Sequence, residues 1–150
     1  MVKINIQLKN IFIDWEYYNK NLKDFPGINL HSQNLESIMK KEFFNLYKKL
    51  KILNVEFNII ITEWVLSLFS SVIPIDLQIE FYFGFFAEGW NFFYKMCIAI
   101  ISTIEFEKNE NIQIEEIYLS MKFGIMYEIK EKKDNDFWKK LIKNAYKLDF

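Results

Sequence analysis

The 150-residue chain contains no arginine; all of its Lys+Arg total of 19 is lysine. That absence removes the one planar, permanently charged side chain that grips phosphate with two parallel donors. Against 20 Asp+Glu the net charge is only −1. A concentrated basic surface, which nucleic-acid binding by counterion release requires, is therefore missing. Histidine and cysteine occur once each, as His31 and Cys97. No intramolecular disulfide can form, which favours a reducing, intracellular compartment. One Cys and one His cannot assemble a zinc site without carboxylates or a partner chain. A Ser-His-Asp triad would have to recruit His31, which lies in the polar run 29–34 and reads as a solvated loop residue. Glycine is scarce too, with Gly27, Gly84, Gly89 and Gly124, and none opens a phosphate-cradling loop. No cofactor site emerges.

What the chain does have is apolar mass. Hydrophobic residues make up 51% and aromatics 19%, with 16 phenylalanines. One sizeable core can be buried, and a single domain is the simplest organisation. The amino terminus lacks the apolar run and small-residue cleavage site of a secretory signal. Ile59–Ile75 and Phe81–Ile104 are long apolar stretches, so a small membrane protein with two spans is one alternative. However, Glu63 interrupts the first, and Glu88, Asn91 and Lys95 interrupt the second. A charge at the bilayer centre costs roughly 2.5–3.5 kcal/mol, so buried helices are the better reading.

Along the chain, Val2, Ile4, Ile6 and Leu8 alternate, which predicts a short extended arm within residues 1–16. Phe25-Pro26-Gly27 is a breaker, after which Ser32 or Asn34 is placed to cap a helix carrying Leu35, Ile38, Met39, Phe43, Leu46, Tyr47 and Leu50 on one face. Residues 55–61 form a β-branched run that in isolation passes for a strand. Thr62 is then placed to cap a helix over Glu63–Val72, with Val65, Leu68, Phe69 and Val72 on one side. Pro74 ends it. Further helices are predicted over Leu77–Phe86, Trp90–Ile104, Ile112–Phe123 and from Asp136 onward. A polar turn at 109–111 and a charged connector over 128–136 separate the last of these. The expected fold is all-α, a single helical domain of about six helices spanning residues 17–150.

The stretch Ile61-Thr62-Glu63-Trp64-Val65-Leu66-Ser67-Leu68-Phe69, closed by Ile73-Pro74, resembles a hallmark of the TBC domain family. Phe85-Phe86-Ala87-Glu88-Gly89-Trp90 resembles that family's Phe-Phe/Leu-x-Glu-Gly element, and Ala99-Ile100 ends the aromatic helix after it. Phe25-Pro26-Gly27, Phe44–Leu50 and Leu141–Tyr146 are similar to further family segments. Tyr82-Phe83 depart from the Trp-Asp that usually precedes the second element. The resemblance covers roughly residues 20–121 and 137–150, and implies the carboxyl-terminal lobe of a Rab GTPase-activating fold. On that resemblance Trp64, Leu68, Phe69, Pro74, Phe85, Phe86, Glu88 and Gly89 are structural signature residues.

The family resemblance also implies a mechanism in which an Arg finger and a Gln from a Tyr-x-Gln motif act on bound GTP. Both belong to the amino-terminal lobe. This chain has no arginine, and none of its eight tyrosines has Gln two positions on. The expected function is thus a catalytically inactive TBC-like lobe, acting as a protein-interaction or structural subunit of a larger assembly. The alternative is a fragment of a Rab GTPase-activating protein whose catalytic lobe is not in this chain. Expected partners are proteins, in a larger complex or a Rab-type GTPase. Localisation is expected to be cytoplasmic, or cytoskeletal or membrane-associated through a partner.

At single residues, Trp64 and Phe69 read as core, and Cys97 as a buried small hydrophobe. Glu88 reads as bonded to a helix end, and not as a partner of Lys95, since the two do not lie on adjacent turns of one helix. Lys40, Lys41, Lys48, Lys49 and Lys51 form a candidate interaction face for an acidic partner or lipid, with a solvated helix face as the plainer reading.

Overall fold

A computed structural model describes residues 26–103 and 134–150. The predicted arm at Met1–Leu8, the turn at 109–111, the helix at Ile112–Phe123, Gly124 and the connector up to residue 133 lie outside the described residues. Within them the chain forms six α-helices and no strand, the all-α fold expected: α1 Pro26–Glu42, α2 Phe44–Ile52, α3 Phe57–Ser67, α4 Ile75–Glu88, α5 Trp90–Ile101 and α6 Asp134–Lys147.

Helix α1 begins well before Ser32 or Asn34. Pro26 is the first described residue of this helix, and proline is tolerated in a helix's first turn. Pro26 and Gly27, read as part of a breaker, are therefore helical. The long helix expected through Leu50 divides at Phe43 (φ −129°, ψ 46°) into α1 and α2. Asn54 then ends α2 in the left-handed region at φ 54°. Its N–H reaches Lys51 O and that of Val55 reaches Leu50 O, both at 3.0 Å. This is a Schellman closure, and both Val55 and Leu50 are buried in the core.

Residues 55–61 are not a strand. From Phe57 they enter α3, because Phe57, Ile60, Ile61, Trp64 and Val65 recur at three and four and bury a continuous side. Thr62 lies inside this helix, where its hydroxyl donates to Asn58 O, so it caps nothing. The helix stops at Ser67, earlier than expected. Leu68 (φ 46°) and Phe69 (φ 61°) are both left-handed, which reverses the chain and breaks up the single face drawn through Val72. The turn is held by Gln78, whose Nε2 donates to Ser70 O at 3.0 Å and Ile73 O at 3.1 Å. Pro74 thus stands before α4 rather than after α3. Asp76 occupies the first turn of α4, where a carboxylate is favoured.

Helix α5 is central. Every residue from Phe92 to Ile101 is buried, and α1, α4 and α6 all pack against it. Helix α6 lays Trp138, Leu141, Ile142 and Ala145 onto α4 and α5, leaving its lysines outside. The two long apolar stretches are each cut, at Leu68 and at Gly89. Among the described residues no helix is long and apolar enough to cross a membrane.

Candidate functional site

The signature residues converge on two adjoining places, the core beneath the α3–α4 turn and the elbow between α4 and α5. Trp64 and Phe69 are fully buried, with ring centroids 5.3 Å apart. Phe69 in turn meets Phe81 at 5.1 Å and Phe93 at 5.0 Å. Its left-handed backbone is what turns the ring into this cluster. Buried aromatic contacts of this kind each add about 0.5–1.5 kcal/mol beyond area burial. Leu68 and Phe86 pack partly buried against the same core.

The elbow is built by glycine. Gly89 adopts φ 65°, ψ −142°, a conformation that L side chains rarely enter, and its N–H reaches Phe85 O at 2.7 Å. This sharp turn folds the start of α5 back beside the end of α4. Phe85 packs edge-on against Trp90 at 5.4 Å. Lys95 Nζ reaches Glu88 Oε2 at 2.8 Å, with side-chain exposures of 9% and 33%. The two residues do pair, contrary to expectation, because they sit on different helices and the glycine turn brings them together. Glu88 is thus an ion-pair partner rather than a helix-end acceptor.

His31 also departs from its expected place. It is 5% exposed on α1, not in a loop. Its ring lies 3.9 Å from that of Trp90, and Nδ1 is 2.6 Å from the Tyr94 hydroxyl. Asn34, one helical turn after His31, donates to the same oxygen at 3.0 Å. This buried polar cluster ties α1 to α5 just past the elbow. The three-residue spacing of His31 and Asn34 was the available signal, hidden by reading that stretch as a loop.

The lysines do not behave alike. Lys41 pairs with Glu42 at 2.9 Å, and Lys51 reaches Glu36 at 2.6 Å. The bonded carboxylates raise both ammonium groups above the usual lysine value. Lys51 also lies over the rings of Tyr47 and Phe57, at 5.7 and 5.4 Å. Lys41 and half-buried Lys49 line an open depression of about 610 Å³ with Phe43, Phe44, Asn45 and Ser102. Lys40 and Lys48 are exposed. Cys97 is fully buried, and burial pushes its thiol well above the ordinary range. Among the described residues, no three His, Cys, Asp or Glu side chains gather to hold a metal ion.

The elbow and the core beneath it unite the two motifs through aromatic packing and a glycine turn. Residues 3–109 match the family model for the Rab-GTPase-TBC domain. The chain belongs to the TBC family. The matched span contains both signature motifs, begins at residue 3 and ends short of α6. No curated protein and no solved structure matches the chain significantly.

Proposed function

We propose that this TBC-family chain works by binding, as a protein-interaction or structural subunit of a larger assembly, rather than by accelerating GTP hydrolysis. The observation that carries this reading is the absence of arginine from the whole sequence. An arginine finger neutralises charge on the transferring phosphoryl group and is worth about 10³–10⁵ in rate. Lysine brings a point charge without the planar fork, so it does not reproduce that geometry. No tyrosine is followed two positions on by the glutamine that would orient water. The signature residues that the chain does retain shape the fold, which suits a scaffold. Its partners are proteins, in an assembly or as a Rab-type GTPase, and its setting is a reducing, cytoplasmic one.

Two measurements test this. Single-turnover GTP hydrolysis by a panel of Rab-type GTPases is expected to be unchanged by excess chain. Affinity purification of the tagged chain from its own cells is expected to recover a stable assembly in stoichiometric amounts. Accelerated hydrolysis, or recovery of the chain alone, would overturn the reading.

A further inference from the structure

Helix α4 is apolar on two opposite sides. At about 100° per residue, Leu77, Phe81, Gly84 and Phe85 fall on the side turned inward, where all are buried. Ile75, Ile79 and Phe83 recur every four residues on the opposite side and are 81%, 59% and 66% exposed. A helix that is hydrophobic all round is ordinarily enclosed, and a contiguous exposed apolar stripe marks a contact surface.

Charge along one edge narrows the occupant. Asp76 and Glu80 lie one turn apart beside the stripe, both exposed, and no described cation pairs with either. Helix α4 itself contains no lysine. A second copy packed antiparallel, about a two-fold axis perpendicular to α4, would set these carboxylates beside their own equivalents, which is repulsive. An anionic lipid surface would be repelled for the same reason. A helix with apolar anchors at matching spacing and cations along one edge satisfies both features at once.

We infer that the outer face of α4, centred on Ile79 and edged by Asp76 and Glu80, is the docking site for a basic amphipathic helix of a protein partner. This rests on the interaction reading above and gives it a surface.

The test uses the full chain and a fluorescent synthetic helix with leucine at alternate three- and four-residue spacing and lysine along one flank. A twin carries glutamate in place of each lysine. The lysine helix is expected to bind at least about tenfold more tightly than its twin, with a preference that weakens in salt. Asp76→Lys with Glu80→Lys inverts the preference, and Ile79→Asp abolishes binding of both. Because Ile79 faces outward, its variant keeps the circular dichroism spectrum and melting temperature of the parent. Equal affinity for the two helices, or binding undiminished in Ile79→Asp, overturns the inference. So does self-association, or binding to anionic vesicles, that Ile79→Asp removes. Should Ile79→Asp still recover the same cellular assembly as the parent, the α4 assignment falls and the interaction reading stands. Should the parent recover no assembly, the interaction reading itself falls.

Discussion

Lys95 and Glu88 face each other across the glycine elbow, a 2.8 Å ion pair whose two ends are unequally wet. The ammonium is almost enclosed within α5, whereas the carboxylate keeps a third of its exposure. The two truncations should therefore differ. Glu88→Ala leaves an enclosed cation without compensation, and breaking a fully buried pair costs about 3–5 kcal/mol. Partial exposure of Glu88 reduces this to about 2–3 kcal/mol. Lys95→Met substitutes an apolar chain of similar reach and leaves a carboxylate that water can serve, so its cost should stay within about 1 kcal/mol. Urea unfolding of both variants checks the asymmetry. Equal losses would mean that the pair is not shielded as described.

Gly84 is the second constraint on the elbow. A β-carbon there would come within 2.7 Å of three ring carbons of Phe92. The ring cannot swing aside cheaply, being buried with Tyr146 at 4.6 Å and Phe81 at 5.9 Å. Gly84→Ala should gain up to about 1 kcal/mol of helix propensity but lose more to overpacking. A net destabilisation of about 1–2 kcal/mol is expected by thermal unfolding. A raised melting temperature would show that Phe92 has room to move.

These packing relations explain which parts of the fold could be read from sequence. The helical class and the central place of α5 were legible, because apolar residues occupy nearly every position of Trp90–Ile101. So were the turn at Gly89 and the burial of Trp64, Phe69 and Cys97. Periodicity failed where the deciding force is not periodic. Nothing local predicts that Leu68 and Phe69 take left-handed backbones, since only the aromatic cluster around the Phe69 ring rewards that strain. The β-branched run before Thr62 has strand propensity, yet tertiary burial of Phe57, Ile60 and Ile61 overrides it. Pairs joined across a turn, such as Glu88 and Lys95, escape any rule of spacing within one helix.

One hydroxyl of α5 receives two polar side chains of α1. Tyr94→Phe keeps the ring and removes the oxygen that both His31 and Asn34 contact. A buried polar group left without its partner costs about 1–3 kcal/mol, so a loss in that range is expected. His31→Phe in the Tyr94→Phe background removes the imidazole that has lost this contact and should recover part of it. Failure of the second change to help would mean that water or another group already serves the imidazole.

High pH offers a separate check on the core. Burial raises the Cys97 thiol well above its ordinary 9.0 and raises the Tyr82 phenol above 10.0. Tyr146 is raised by burial and then by the nearby Glu88 and Glu80 carboxylates. In each case the folded chain holds its proton more tightly than the unfolded chain. Each contribution is therefore complete below the unfolded value and is lost as pH rises toward the folded one. Stability should be insensitive to these groups at neutral pH and decline progressively from about pH 9 upward. Cys97→Ala should flatten the first part of that decline, whatever it costs in packing. Native Cys97 should also resist thiol reagents until the chain unfolds, since a protonated, enclosed sulfur is a poor nucleophile. Urea titrations at stepped alkaline pH, with and without the substitution, measure the slope. A decline that begins at the same pH and has the same steepness in both proteins would show that Cys97 does not titrate with unfolding.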